Sequence, residues 1–329
     1  MDSLPEHSFA DLEPGIVLDA LDMLGLYSDG RLLALNSYEN RVYQVGMEQG
    51  PPLIVKFYRP RRWRDEAILE EHSFALELES EEIPVVPPLV FDGRTLHQYQ
   101  GYRFAVFRRQ GGRTPELDQP GVLEWIGRFM GRIHAVGARA AFTARGTLNI
   151  NSYGIQPREW LLAHGDIPDE LRQSWASISA QALEGIEQCY QRAGSPQLLR
   201  LHGDCHIGNL LWTDDGPHFV DLDDSRMGPA IQDVWMLLSG EREVMSRQLA
   251  DLLAGYEDFF EFDPRELYLL EALRTLRLLH YSAWLAMRRD DPAFRQAFPW
   301  FGSVRYWQDR ILELREQVAL MSEPPLWPV

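Results

Sequence analysis

Leu201-His202-Gly203-Asp204-Cys205-His206-Ile207-Gly208-Asn209, followed shortly by Phe219-Val220-Asp221, is the stretch on which the reading of this chain turns. An Asp, an Asn five positions on and a second Asp behind a short apolar strand can converge three oxygen ligands on one site. That set suits a nucleotide's metal-bound phosphates next to a hydroxyl that must lose its proton. In this arrangement Asp204 is the base that orients the attacking hydroxyl. Asn209 and Asp221 hold magnesium, a hard cation that prefers carboxylate and amide oxygens to nitrogen or sulfur.

A second His-Gly-Asp, at His164-Gly165-Asp166, measures how specific the tripeptide is. Five positions beyond Asp166 stands Leu171, and no apolar strand ending in Asp follows. The weight of the motif therefore lies in Asn209 and Asp221, and the second copy reads as a loop or helix-cap site. His202 and His206 invite a two-metal phosphoesterase reading, but such sites need further His and Asp clusters, and His134, His218 and His280 lie without matching spacing. His202 reads as a residue that fixes the loop, His206 as a helper near the phosphates, and Cys205 as a small buried residue. Asp223 and Asp224 read as a solvated acidic pair, with a second metal site as the other reading. Asp233, in Gln232-Asp233-Val234-Trp235, reads as a buried acceptor for backbone N–H groups of the Asp204 loop, since burial beside Val234 and Trp235 demands partners.

Upstream, Arg41-Val42-Tyr43-Gln44-Val45 and Leu53-Ile54-Val55-Lys56-Phe57-Tyr58 read as strands joined by a Gly-Pro-Pro turn. Residues 65–79 turn helical, with Ile68, Leu69, Phe74, Ala75 and Leu78 available for one face. The prolines of Ile83-Pro84-Val85-Val86-Pro87-Pro88 end that helix, and two more strands are expected at 96–99 and 102–107. Lys56 in mid-strand is either an edge residue reaching outward or a charge reaching a ligand. Taken alone it reads as surface. Followed by an acidic helix and the Asp–Asn–Asp set, it becomes the expected contact to the α- and β-phosphates of ATP. Glu71 is its expected ion-pair partner, with Glu70 as the alternative.

The pattern predicts an α+β chain of two lobes: residues 1–107 as a nucleotide-binding lobe with a small antiparallel sheet and one helix, 108–121 as a connector, and 122–329 as a mainly helical catalytic and substrate lobe. Ile126, Phe129, Met130 and Ile133 form the stripe of one long helix, and residues 174–191 predict another. Asp263-Pro264-Arg265-Glu266 has the form of a helix start, with an Asp cap and a Glu three beyond it. Strands in this lobe are expected only beside the motif, at 198–201, 210–212 and 218–222. At 329 residues the chain is long enough for two cores.

The net charge of −17 argues against a nucleic-acid partner. Two cysteines, Cys189 and Cys205, make no disulfide framework and fit a reducing compartment. Met1-Asp2-Ser3-Leu4-Pro5-Glu6 lacks the basic and apolar run of a signal peptide, and the apolar run at 278–287 is too short to cross a bilayer. A cytoplasmic protein with no membrane partner is expected.

His202-Gly203-Asp204 through Asn209 and Phe219-Val220-Asp221 resemble the catalytic and metal-binding loops of aminoglycoside phosphotransferase and choline kinase-like enzymes, which share the two-lobed protein kinase architecture. Leu35-Asn36-Ser37-Tyr38-Glu39-Asn40-Arg41-Val42-Tyr43, Val55-Lys56-Phe57-Tyr58-Arg59-Pro60 and residues 221–238 resemble more closely the bacterial stress response kinase A group (the YihE/RdoA proteins), nearly end to end. The resemblance implies a cytoplasmic, monomeric, ATP- and magnesium-dependent serine/threonine protein kinase of stress responses. One departure stands out. Protein kinases cover the phosphates with G-x-G-x-x-G, whereas the corresponding turn, Asn36-Ser37-Tyr38-Glu39-Asn40, has no glycine. Ser37 and Asn40 are candidate phosphate contacts, Ser37 also a candidate phosphate acceptor, with simple turn building as the other reading.

Phosphoryl transfer from ATP to a protein is the leading expectation. A kinase of small alcohols and amines is the first alternative, because this fold family acts mostly on such molecules. A nucleotide-binding scaffold without catalysis is the second, opposed by the presence of Lys56, Asp204, Asn209 and Asp221.

Overall fold

The computed structural model describes residues 9–35, 37–291 and 293–328; Asn36 of the glycine-free turn and the segment Met1–Glu6 lie outside them. Contacts divide the chain into two compact units. The first comprises Met1–Pro115, Phe142–Arg145 and Gly208–Asp224. The second comprises Glu116–Ala141, Gly146–Ile207 and Ser225–Val329.

The first unit is built on a five-stranded antiparallel sheet. Its strands are β1 (Ser28–Ala34), β2 (Arg41–Met47), β3 (Leu53–Phe57), β4 (His97–Tyr99) and β5 (Tyr102–Arg108), in the order β1-β2-β3-β5-β4. Helix α1 (Pro14–Asp22), which starts on a proline in its first turn, packs Val17, Ala20 and Leu21 with Val45, Val55, Phe57, Phe104 and Val106. Side chains alternate along a strand, so Lys56 faces the other way, toward Ala105 and Tyr58, where α2 (Asp65–Ser80) supplies Ile68. Asp65 and Glu66 in the first turn of α2 suit the positive end of its dipole.

One alternative is set aside here and one expectation is corrected. β3 pairs with β2 on one side and β5 on the other, so Lys56 is no edge residue and is buried. Leu69 is 45% exposed, and Glu71 and His72 take places on the buried face of α2 instead. Later in the chain, β7 (Leu210–Thr213) and β8 (Gly216–Phe219) form a hairpin. It joins the first unit through Phe219 N–H donating to Pro84 O at 2.8 Å and through paired Arg113 and Trp212 backbones.

The second unit is helical: α3 (Val122–Gly137), α4 (Gln156–His164), α5 (Asp169–Ala193), α6 (Ile231–Trp235), α7 (Arg242–Tyr256), α8 (Leu270–Met287), α9 (Phe294–Ala297) and α10 (Val304–Ser322). A two-stranded sheet of β6 (Leu199–Leu201) and β9 (Arg226–Gly228) accompanies them. α3 and α7 run nearly backbone to backbone. A β-carbon at Gly127 would lie 2.0 Å from Leu252 O, and one at Gly255 would lie 1.9 Å from Glu124 O; real carbon–oxygen contacts never come so close, so only glycine fits. Trp175 of α5 and Trp307 of α10 meet edge to face at 6.0 Å. No helix among the described residues is long and apolar enough to cross a membrane.

The expected capping box at Asp263 forms only by half. Asp263 accepts the Arg265 N–H in a short 3₁₀ turn, Pro264–Leu269. Glu266 turns inward instead and accepts the Ile231 N–H at 2.9 Å.

Candidate active site

Asp204 belongs to the second unit, and Lys56, Asn209 and Asp221 belong to the first.

The Asp204 loop leaves β6 and is held from beneath by one carboxylate. Asp233 accepts the N–H groups of His202 and Gly203, each at 2.9 Å, as its sequence neighbours predicted. It also meets His134 Nε2 at 3.1 Å, and His134 Nδ1 meets Tyr256 OH at 2.8 Å. His134 comes from α3 and Tyr256 from α7, so the close approach of those helices sets the floor of the loop. Gly203 has φ +85°, a left-handed conformation glycine adopts without strain. His202 is buried and lies under the Asp204 N–H. Cys205 is buried too; burial, with Asp233 and Asp204 adding to it, pushes its thiol well above the usual range, which makes it inert.

Asp204 has two nitrogen-bearing neighbours. Arg277 Nη2 lies 2.8 Å from Oδ1, and His206 Nε2 lies 3.4 Å from Oδ2. Sequence spacing gave no hint of Arg277, which arrives from α8. The second His-Gly-Asp has a structural role: Gly165 caps α4, and Asp166 pairs with Arg289.

Glu266 acts on this half from behind, at the start of the helix that carries Asp233. Burial raises its carboxyl from 4.5 to about 7 against the pull of the Ile231 N–H. The folded state therefore keeps a proton that the unfolded chain has already lost. Stability is expected to fall by up to about 3 kcal/mol as pH rises from 4.5 to 7, and to level off above that. Denaturation of Glu266→Gln across this range checks it: the variant should show a flatter profile, and an unchanged slope would rule the assignment out.

In the first unit, the β7–β8 hairpin aligns the other two oxygens. Val220 N–H donates to Asn209 O at 3.0 Å, so Asn209 and Asp221 flank the hairpin's open end. Asp221 sits at φ +61° with its side chain 53% exposed. A left-handed Asp costs about 1 kcal/mol and is kept where surrounding structure enforces it. Lys56 Nζ donates to Asp221 Oδ1 at 2.8 Å and lies 3.5 Å from Asp223 Oδ1. Burial works against this ammonium, but Asp221, Asp223 and Glu71 outweigh it and raise its pKa.

The pair expected between Lys56 and Glu71 is not formed. Glu71 Oε2 receives Arg145 Nη2 at 3.2 Å. Arg145 is buried, lies 4.6 Å over the Trp63 ring, and donates to Ala67 O and Asp223 O. The alternative partner, Glu70, also goes elsewhere: its carboxylate accepts the N–H groups of Thr143, Ala144 and Arg145. Segment 142–145 therefore returns to α2 and inserts a guanidinium at the place drawn for Lys56. Burial raises the Glu71 carboxyl against the pull of Lys56 and Arg145. Burial also lowers His72 to about 3, so it is neutral between Tyr58 OH and Thr95 Oγ1.

Asp223 is likewise no solvated residue, at 3% exposure. It accepts from Asn40 Nδ2 at 3.0 Å and pairs with Arg62 Nη1, while Arg62 Nη2 reaches Asp224 at 2.7 Å. Burial opposes its charge, yet Arg62 and Lys56 hold its pKa low. Asn40 is thereby taken out of the phosphate contacts expected of it: its Oδ1 accepts the Arg59 N–H at 3.1 Å, so both ends of the amide are engaged inside the protein. Arg59 also holds the carbonyls of Tyr38 and Glu39, each at 2.9 Å. The glycine-free turn is thus pinned by an arginine. Ser37 lies half-buried beside it.

The donor set fits a hard divalent cation. Asn209 and the exposed Asp221 offer oxygen only. Among the described residues no three His, Cys, Asp or Glu side chains group to hold a metal by themselves.

Antiparallel sheet, helical second unit and this set of residues define a kinase-like phosphotransferase. The chain belongs to the phosphotransferase enzyme family, whose sequence profile matches residues 31–270, and within it to the stress response kinase A group. It is 44% identical over 319 residues to stress response kinase A of Escherichia coli strain K12, covering 97% of this chain and 96% of that protein. The same figures hold for a Salmonella typhimurium LT2 protein named serine/threonine protein kinase RdoA. Among solved structures, amicoumacin kinase hAmiN in complex with AMP-PNP, Ca2+ and Ami is similar with a TM-score of 0.73 and 20% identity, covering 95% of each chain. A microcompartment-associated aminopropanol kinase is similar with a TM-score of 0.70 and 20% identity, covering 94% of this chain and 96% of that one.

Proposed function

We propose that the protein is an ATP- and magnesium-dependent kinase that phosphorylates serine or threonine of a protein acceptor in the cytoplasm, in a bacterial stress response. The observation that carries the reading is Lys56 Nζ at 2.8 Å from Asp221, on the unit that also holds Asn209. The acceptor class is supported by the long match to a relative named as a serine/threonine protein kinase.

In this reading Lys56 binds the α- and β-phosphate oxygens of ATP. Asp204 orients the acceptor hydroxyl and takes its proton as the hydroxyl oxygen bonds to the γ-phosphorus. The bond from that phosphorus to the β-bridging oxygen breaks, and ADP leaves. Magnesium, when bound, neutralises charge on the phosphate oxygens, and Asn209 and Asp221 are the residues that would hold it. Asp233, His134 and His202 keep the Asp204 loop in place. Arg62 keeps Asp223 charged in a buried setting it would not tolerate alone, and Arg145 seats Glu71 beside it.

The test is transfer from γ-labelled ATP with magnesium, offered to mixed proteins and, separately, to amino alcohols and aminoglycosides. Label on protein that disappears in Asp221→Ala is expected, together with about a hundredfold loss of magnesium-dependent nucleotide affinity. Label on small molecules alone would move the acceptor class. Bound ATP with no transfer to anything would make the chain a scaffold.

A further inference from the structure

Arg145 reaches two elements of the first unit at once, with its side chain wholly buried. Its Nε donates to Ala67 O at 2.7 Å and its Nη2 to Glu71 Oε2 at 3.2 Å, both on α2. Its Nη1 donates to Asp223 O at 2.8 Å. Asp223 lies in the 3₁₀ turn Leu222–Asp224, directly behind Asp221.

The register of this guanidinium is set separately. Glu70, also on α2, accepts the N–H groups of Thr143, Ala144 and Arg145 and the Thr143 hydroxyl, the last at 2.6 Å. The helix thus draws segment 142–145 onto itself and aims Arg145 past Ala67. The consequence falls on Asp221, which has φ +61°. A left-handed aspartate persists only where surrounding structure enforces it. On one side of it, the Val220 N–H is tied to Asn209 O at 3.0 Å. On the other, Arg62 and Asn40 hold the Asp223 carboxylate and Arg145 holds the Asp223 carbonyl.

Protein kinases align a strand lysine by pairing it with a glutamate of the next helix, and they govern activity through the position of that helix. Here Lys56 lies against Asp221 and Asp223, and Arg145 takes Glu71. A guanidinium presents its donors in a rigid planar fork, so it serves a helix carbonyl, a helix carboxylate and a turn carbonyl together. An ammonium is a single point on a flexible stem and lacks that span. We propose that Arg145 is a positioning residue for the metal site. It ties α2 to the turn behind Asp221 and holds that aspartate in the conformation in which it contacts Lys56 and offers its carboxylate to magnesium, in place of a lysine–glutamate pair. This rests on the reading of Asp221 as a metal ligand given above.

The probe is AMP-PNP, titrated calorimetrically into the full-length protein with and without magnesium. The double variant Arg145→Met, Glu71→Leu replaces a buried ion pair by apolar groups of similar size, which spares the fold. It should bind AMP-PNP with magnesium about tenfold more weakly than the parent, while AMP-PNP without metal binds within about twofold. Arg145→Lys keeps the charge and loses the fork, and should fall between the two; melting curves confirm that each variant is folded. A loss equal in both titrations, or no loss in either, makes Arg145 merely structural and overturns the inference. A loss of affinity in Glu71→Gln that is equal with and without magnesium returns Glu71 to Lys56 and overturns it as well. In each of these cases a parent that gains affinity with magnesium, and an Asp221→Ala variant that does not, leave the metal assignment standing. A parent that binds AMP-PNP no better with magnesium than without overturns both.

Discussion

Asp204→Asn is expected to lower the rate of phosphoryl transfer by about a thousandfold, the usual worth of a positioned general base, while nucleotide affinity stays within about twofold. The substitution keeps the shape of the side chain and removes its charge and basicity. Its two nitrogen-bearing neighbours, Arg277 and His206, are both partly exposed, so little stability is at stake there. Single-turnover transfer measured beside nucleotide binding separates the two effects. A loss of less than about tenfold would remove Asp204 from the chemistry.

The largest effect on stability is expected at Asp233, which makes no contact with substrate in this scheme. Asp233→Ala leaves the His202 and Gly203 N–H groups and one ring nitrogen of His134 without their shared acceptor in a buried setting. Each orphaned group costs about 1–3 kcal/mol, so a loss of about 4 kcal/mol is expected from a total stability of about 5–15 kcal/mol. Asp233→Asn keeps one acceptor oxygen and should lose roughly half as much. Urea denaturation measures both, and an Ala variant within about 1 kcal/mol of the parent would show that the loop is held by something else.

Much of this arrangement was legible beforehand because its signals are local. The alternation around Val55-Lys56-Phe57 marks a strand, and the spacing from Asp204 to Asn209 and on to Asp221 marks a loop, a hairpin and an oxygen set. Asp233 could be read from its apolar neighbours, since a buried carboxylate requires donors. Other parts were missed for want of any local signal. β9 is three residues long, too short for a period to show. Helix α1 opens on Pro14-Gly15, a pair that reads as a turn before it reads as a helix start. The inward face of α2 includes Glu71 and His72, which no hydrophobic pattern would select.

What the sequence by itself determined is the set of candidate groups and their elements: a lysine on a strand, an aspartate on a loop, an asparagine and an aspartate beside a hairpin, each set by contacts between near neighbours in the chain. What only the tertiary structure decided is the pairing of charges. Lys56 meets Asp221 across 165 residues, Arg145 takes Glu71 across 74, and Arg62 takes Asp224 across 162. Arg277 reaches Asp204 from a helix whose own pattern speaks only of packing. The physical reason is that a Coulomb contact depends on distance in space and leaves no periodicity in the chain, and that a buried charge takes whichever counter-charge the fold brings nearest.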